Sequence, residues 1–105
     1  MGTVDDLFGA NLSGTDLRWA NLRGSNLSGT DLRWADLRRA NLSGADLSGT
    51  DLRWANLRWA DLRRANLSGA DLRGAKYDSS TVWPDGFDPE AAGAELVTVE
   101  GGGHQ

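Results

Sequence analysis

Thr30–Gly74 reads TDLRW ADLRR ANLSG ADLSG TDLRW ANLRW ADLRR ANLSG ADLRG, nine five-residue words with leucine at the centre of each. The frame extends outward from Asp5 to Gly74, with fourteen leucines in register from Leu7 to Leu72. A fifteenth word, AKYDS, puts Tyr77 in the leucine slot. On an α-helix, residues five apart are rotated by about 500°, or about 140° net, so no apolar stripe forms. On a flat strand an odd period sends alternate leucines to opposite faces. A chain that turns a corner after every word sends all of them to one axis.

Four such sides close a square of about 20 residues, and stacked coils then hydrogen-bond at about 4.8 Å. The position two before each leucine is small throughout, as in Ala35, Ala40, Ala45 and Thr50, and is expected to face inward as well. Gly9, Gly14, Gly24, Gly29, Gly44, Gly49, Gly69 and Gly74 mark corners where permissive backbone is needed. A leucine-rich repeat would need a longer variable segment in each 20–29-residue unit, roughly, and none is present.

The words A-D/N-L-x-x, as in ADLRR, ANLSG and ADLRG, resemble those of the pentapeptide-repeat proteins, and the resemblance covers residues 5–79. It implies an all-β fold: a right-handed quadrilateral β-helix of just under four coils, with the leucine and the small residue inside. TDLRWA occurs three times and ADLRRANLSGADL twice, which points to recent internal duplication or to a consensus design. The wording YDSSTVWPDGFDPEAAGA is similar to segments that follow the arrays of cyanobacterial members.

The sequence divides into a lead-in at 1–4, the coil at 5–79, a C-terminal cap at 80–100 and a disordered tail at 101–105. Tyr77, Trp83 and Phe87 are the candidate cap residues, folded back by the turn Pro84-Asp85-Gly86. Asp88-Pro89 reads as a helix start, predicting a short helix near 89–95. Phe8 reads either as a lid on the first coil or as a dimer contact.

Residues 6–75 carry ten Arg against eight Asp, while Asp78, Asp85, Asp88, Glu90, Glu95 and Glu100 make the tail acidic. There is no cysteine, which excludes a disulfide framework and a thiolate metal site. The N-terminus has neither a basic region nor an apolar run, so we expect no leader or membrane span and a cytoplasmic protein. No nucleophile stands beside a base, and the sole histidine, His104, lies in a glycine tail. We expect no enzyme, no cofactor and no small-molecule substrate.

In steps of 20, one corner column reads Trp19, Arg39, Trp59 and its neighbour Gly14, Trp34, Trp54, Gly74. Arg18, Arg38 and Arg58 form a ladder between them, and the aspartates read as solvated decoration. Trp19, Trp34, Arg39, Trp54, Trp59, Arg18, Arg38 and Arg58 are therefore the candidate interaction surface, for a protein partner or for self-association through this corner or a coil end. Against it stands the reading that these ladders only stabilise the coil. Some members of the family protect DNA gyrase as strongly acidic DNA mimics, a role that a coil body of +2 disfavours. A weak anion or nucleic-acid binder using the Trp/Arg half is a second alternative, its nucleic-acid form disfavoured because the aspartates offset most of the arginines.

Overall fold

The computed structural model describes residues 6–98. The lead-in, Asp5, Val99, Glu100, the 101–105 tail and His104 lie outside the described residues.

Parallel bridges join residues 20 apart along the coil, from Asp6 with Asn26 to Asn56 with Lys76. Each word gives the coil two kinds of rung. Leu32 N–H donates to the Asp51 carbonyl at 2.8 Å, and Asp51 N–H donates back to the Thr30 carbonyl at 3.0 Å. Within a word the chain turns on a bond such as Ala35 N–H to the Leu32 carbonyl, at 3.0 Å. The third residue of that turn always has positive φ and the second never does, which is the type II turn.

The four sides are named by their leucines: face 1 carries Leu7, Leu27, Leu47 and Leu67; face 2 carries Leu12, Leu32, Leu52 and Leu72; face 3 carries Leu17, Leu37, Leu57 and then Tyr77; face 4 carries Leu22, Leu42 and Leu62. Leu27 to Leu62 are fully buried, with Ala35, Ala40, Ala45, Ala55 and Ala60 between them. Thr30 and Thr50 occupy the small slot without an unmet hydroxyl, because each Oγ1 donates to a corner carbonyl, Leu27 or Leu47, at 2.8 Å. Leu7, Leu12 and Leu17 are only partly buried, and Phe8 is exposed with its ring edge over Gly29.

At the other end the last coil changes composition to close the core. Tyr77 fills the leucine slot of face 3. The turn at Asp78-Ser79-Ser80 adds one residue, so Val82 pairs with Asp61 at an offset of 21. Asp78 holds this turn: its Oδ1 accepts from the N–H of Trp59, of Ser80 and from the Thr81 hydroxyl, each at 3.1 Å. Trp83 thereby falls into the leucine slot of face 4, with Tyr77 edge-on at 5.4 Å and Phe87 stacked at 5.2 Å. Strand β1 (Lys76–Tyr77) then pairs in parallel with β2 (Glu95–Leu96), covering face 3. Gly74 N–H donates to the Gly93 carbonyl and covers face 2. A side chain at Gly93 would lie 3.2 Å from Arg73 Cα, so this close approach needs glycine.

The helix expected near 89–95 is absent; residues 89–93 form consecutive turns. Asp88 does cap them, its Oδ1 accepting from Glu90 and Ala91 N–H at 3.1 and 3.2 Å. A single turn follows, ending where Gly93 adopts φ 91°. The open edge of the fourth coil requires residues 94–97 extended, with Glu95 N–H on the Ala75 carbonyl and Val97 N–H on the Tyr77 carbonyl, both at 2.7 Å. Those long-range bonds outweigh a marginal two-turn helix.

Candidate functional site

Glycine fits the left-handed corner without strain, and every residue of the corner after face 1 is glycine: Gly9, Gly29, Gly49 and Gly69. The other corners are not so conservative. Trp34 and Trp54 stand after face 2, Trp19, Arg39 and Trp59 after face 3, and Arg64 after face 4, all with φ between 61° and 66°. Bulky residues are rare there because Cβ crowds the following carbonyl, at a cost of roughly 1–2 kcal/mol each.

These strained side chains stack on one another. The Arg39 guanidinium lies 4.8 Å from the Trp19 ring centroid and 4.3 Å from that of Trp59. Trp34 and Trp54 stack at 5.1 Å with 18° between planes. Trp54 then lies flat over Gly74, where an added Cβ would fall 2.5 Å from its Cδ1. Two exposed cation–π contacts return about 1–2 kcal/mol against about 3–6 for three left-handed residues. The indole pair, with the Arg53 guanidinium 5.3 Å from the Trp54 centroid, returns about 1–2.5 kcal/mol against about 2–4. Stacking alone does not offset the backbone. The indoles also remain largely in water, with Trp19 70%, Trp34 65%, Trp59 49% and Trp54 41% exposed.

The aspartates do more than decorate the surface. In each word the Asp or Asn before leucine turns its Oδ1 onto the N–H two residues on, as in Asp31 to Arg33 at 3.1 Å and Asn41 to Ser43 at 3.0 Å. Either residue makes this local turn. Aspartate also grips the arginine with both oxygens, and Asp31 holds Arg33 through Nε at 2.8 Å and Nη2 at 2.6 Å. Asp16–Arg18, Asp36–Arg38, Asp51–Arg53, Asp61–Arg63 and Asp71–Arg73 repeat the fork. Hydrogen bonds from these arginines lower the carboxyls of Asp16, Asp31 and Asp71 to about 2 and also lower those of Asp36, Asp51 and Asp61. Arg18, Arg33 and Arg53 also approach the aspartate of the next coil at 3.7–3.8 Å.

Of the eight candidate surface residues, Arg18 and Arg38 are thus neutralised within their own words. Arg39 and Arg58 are not. Among the described residues the Arg58 side chain has only the Asn56 amide oxygen, at 3.2 Å from Nε. Arg18, Trp19, Arg38, Arg39, Arg58 and Trp59 together line an open groove of about 280 Å³. The corner after face 2 stands apart from this groove, its neighbours Arg33 and Arg53 both forked by aspartate. Arg23 and Arg64 likewise have no ion pair among the described residues, and neither is among the candidate residues read from the sequence. Their signal was the Asn at position 21 in place of Asp and the tandem Arg63-Arg64. Among the described residues no acidic, His or Cys cluster is arranged to hold a metal ion, and no helix is long and apolar enough to cross a membrane.

The family model described as pentapeptide repeats (8 copies) matches residues 6–39, 15–53 and 40–76. Among solved structures the chain is similar to the pentapeptide repeat protein alr5209 of Nostoc PCC 7120, at 39% identity over 90% of this chain and 86% of that one, with a TM-score of 0.50. It is also similar to HetL of the same cyanobacterium, a pentapeptide repeat protein involved in heterocyst differentiation regulation, at 35% identity and a TM-score of 0.50. That match covers 82% of this chain but only 50% of HetL. No curated protein matches. The repeating words, the square coil with its buried leucines and these matches agree, and the chain belongs to the pentapeptide-repeat family, whose right-handed quadrilateral β-helix it adopts.

Proposed function

We propose that this protein is a non-catalytic interaction module that self-associates through its Trp/Arg surface, with Trp19, Arg39 and Trp59 at the centre and Trp34 and Trp54 beside them. The observation that carries this reading is the left-handed backbone under five exposed Trp and Arg residues, at φ 61–66°. Glycine would relieve that strain at every one of these corners, as it does along face 1. Backbone strain retained under solvent-exposed indoles points to a use for the side chains. Their chemistry suits an interface, since Trp and Arg supply most binding hot spots. Gyrase regulation by DNA mimicry is disfavoured, because ten arginines and eight aspartates leave the coil body weakly basic.

Sedimentation velocity over a concentration series tests the proposal. Wild type is expected to associate and a Trp19→Gly/Trp59→Gly variant to stay monomeric, while keeping its fold because glycine suits both corners. A monomeric wild type, or equal association of the two proteins, sinks the self-association reading.

A further inference from the structure

The arginine ladders of faces 2 and 3 are internally neutralised at most rungs, but the ladder of face 4 has a hole. Its column reads Arg23, Ser43, Arg63, and the residues two before them are Asn21, Asn41 and Asp61. Arg23 therefore lacks the carboxylate of its own word and, because Asn41 stands in the next coil, the second one that Arg18 and Arg33 approach. Ser43 is too short to fill the rung. An open cleft of about 390 Å³ results, floored by Ser43 and Gly44 and walled by Arg23, Arg63 and Arg64.

We propose that this cleft binds the phosphoryl group of a small molecule, held between Arg23, which has no ion pair among the described residues, and the Nη1 N–H groups of Arg63, whose Nε and Nη2 are engaged by Asp61. Two coil rises separate these residues by about 9.6 Å, close to the span of two guanidinium groups donating to opposite oxygens of one phosphoryl. Asn41 contributes a third donor. Its Oδ1 is occupied by the Ser43 N–H at 3.0 Å and hydroxyl at 2.7 Å, which leaves the Nδ2 amide as its donor group. Arg64 contributes the fourth. It stands at φ 62° in a column whose earlier members are Gly24 and Gly44, and it stacks on no indole among the described residues, so nothing local offsets its backbone as the two rings offset Arg39. One acid lines the cleft, Asp61, with both oxygens held by Arg63 at 3.0 and 2.6 Å. Asp85 faces Arg63 and Arg64 from the cap side, across a separate cleft.

Asparagine and aspartate make the same turn, and this gives a clean variant. Asn41→Asp keeps the local hydrogen bonds and adds a carboxylate between the arginines. The experiment follows arginine Nε–Hε signals by NMR during titration with inorganic phosphate and with glycerol 3-phosphate at low salt. Shifts confined to Arg23, Arg63 and Arg64, with Arg33 and Arg53 unmoved, are expected. Arg23→Gln and Arg64→Gly, the latter compatible with the corner backbone, are expected to weaken binding about tenfold. Asn41→Asp is expected to abolish it, while Arg33→Gln leaves it unchanged. Binding of glycerol 3-phosphate more tightly than phosphate, or of both equally, supports the site and identifies which source it prefers. Absence of shifts with either probe overturns it, as does unaltered binding by Asn41→Asp. Binding of single-stranded DNA without either small phosphate also overturns it. None of these outcomes depends on self-association through the tryptophan corner, which the sedimentation experiment reads separately.

Discussion

Gly9, Gly29, Gly49 and Gly69 on one corner of the coil and Trp19, Arg39 and Trp59 on another share nearly the same backbone, φ 67–71° against 63–66°. Nothing about Trp or Arg favours that conformation, so the residue does not make the corner. Coil stacking does. The rungs on either side of the corner hold the chain in place whichever residue occupies it, and the buried leucines hold the rungs. Glycine accepts this geometry freely, while Trp and Arg accept it under strain and gain an exposed side chain by doing so. The two corners therefore separate what the fold requires from what the surface adds.

The largest expected effect falls on both corners alike. Leu47 precedes a glycine corner and Leu37 precedes Arg39, and both are fully buried. Leu47→Ala and Leu37→Ala are each expected to destabilise by about 2–5 kcal/mol in urea unfolding. A large difference between them would show that the corners carry core stability of their own. Next comes the glycine that accommodates an indole. Gly74→Ala must displace Trp54, whereas a side chain at Gly44 meets nothing within 4 Å, although both have positive φ. Gly44→Ala is expected to cost about 1–2 kcal/mol, and Gly74→Ala more than that, with loss of the Trp34–Trp54 stacking signal in near-UV circular dichroism. Equal costs would place the indole elsewhere in solution.

A smaller effect separates stacked from unstacked strain. Arg64→Gly is expected to stabilise by about 0.5–1 kcal/mol, the backbone relief being partly offset by glycine's greater freedom when unfolded. Arg39→Gly also loses two cation–π contacts, which exceed that gain, and is expected to fall between neutral and about 1.5 kcal/mol destabilised. Thermal unfolding of the two variants checks the ranking, and a stabilised Arg39→Gly would mean that its sandwich contributes nothing. The smallest effect per group is acid sensitivity. The carboxyls of Asp16, Asp31 and Asp71 are depressed to about 2. A depressed carboxyl contributes stability that is complete above its unfolded value near 3.9 and is lost as pH falls toward its folded value. Stability is thus expected to decline from about pH 5 down to about pH 2, weakly per aspartate because these pairs are solvated. An Asp31→Asn variant keeps the turn and is expected to flatten part of that decline.

Much of this was legible beforehand, for a physical reason. A period of five admits one way of burying every leucine, and Tyr77 in the leucine slot and the Pro84-Asp85-Gly86 reversal marked where the coil closes. The alignment of Arg39 with two indoles also follows from steps of 20, since stacking at coil spacing is geometry. The sequence showed less where a residue answers to distant partners. Asp88 carries a true capping signal, yet the helix after it loses to strand pairing between Glu95–Leu96 and Lys76–Tyr77. Ser79 and Ser80 look like ordinary turn residues, and their one-residue offset, which drops Trp83 into a leucine slot, emerges only against the coil below. The aspartates before the leucines read as solvated decoration, and for the turn Asp and Asn are indeed interchangeable. For charge they are not, because an arginine is neutral or free according to which of the two precedes its leucine and to another residue one coil away.

By itself, then, the sequence determined the square section, the inward side chains and the alignment of columns, because these depend on a spacing repeated fifteen times. The tertiary structure decided the left-handed backbone beneath the tryptophans, the closure of the cap and which four arginines have no carboxylate among the described residues. Each of those depends on contacts between residues about 20 apart, where stacking of coils overrides local preference.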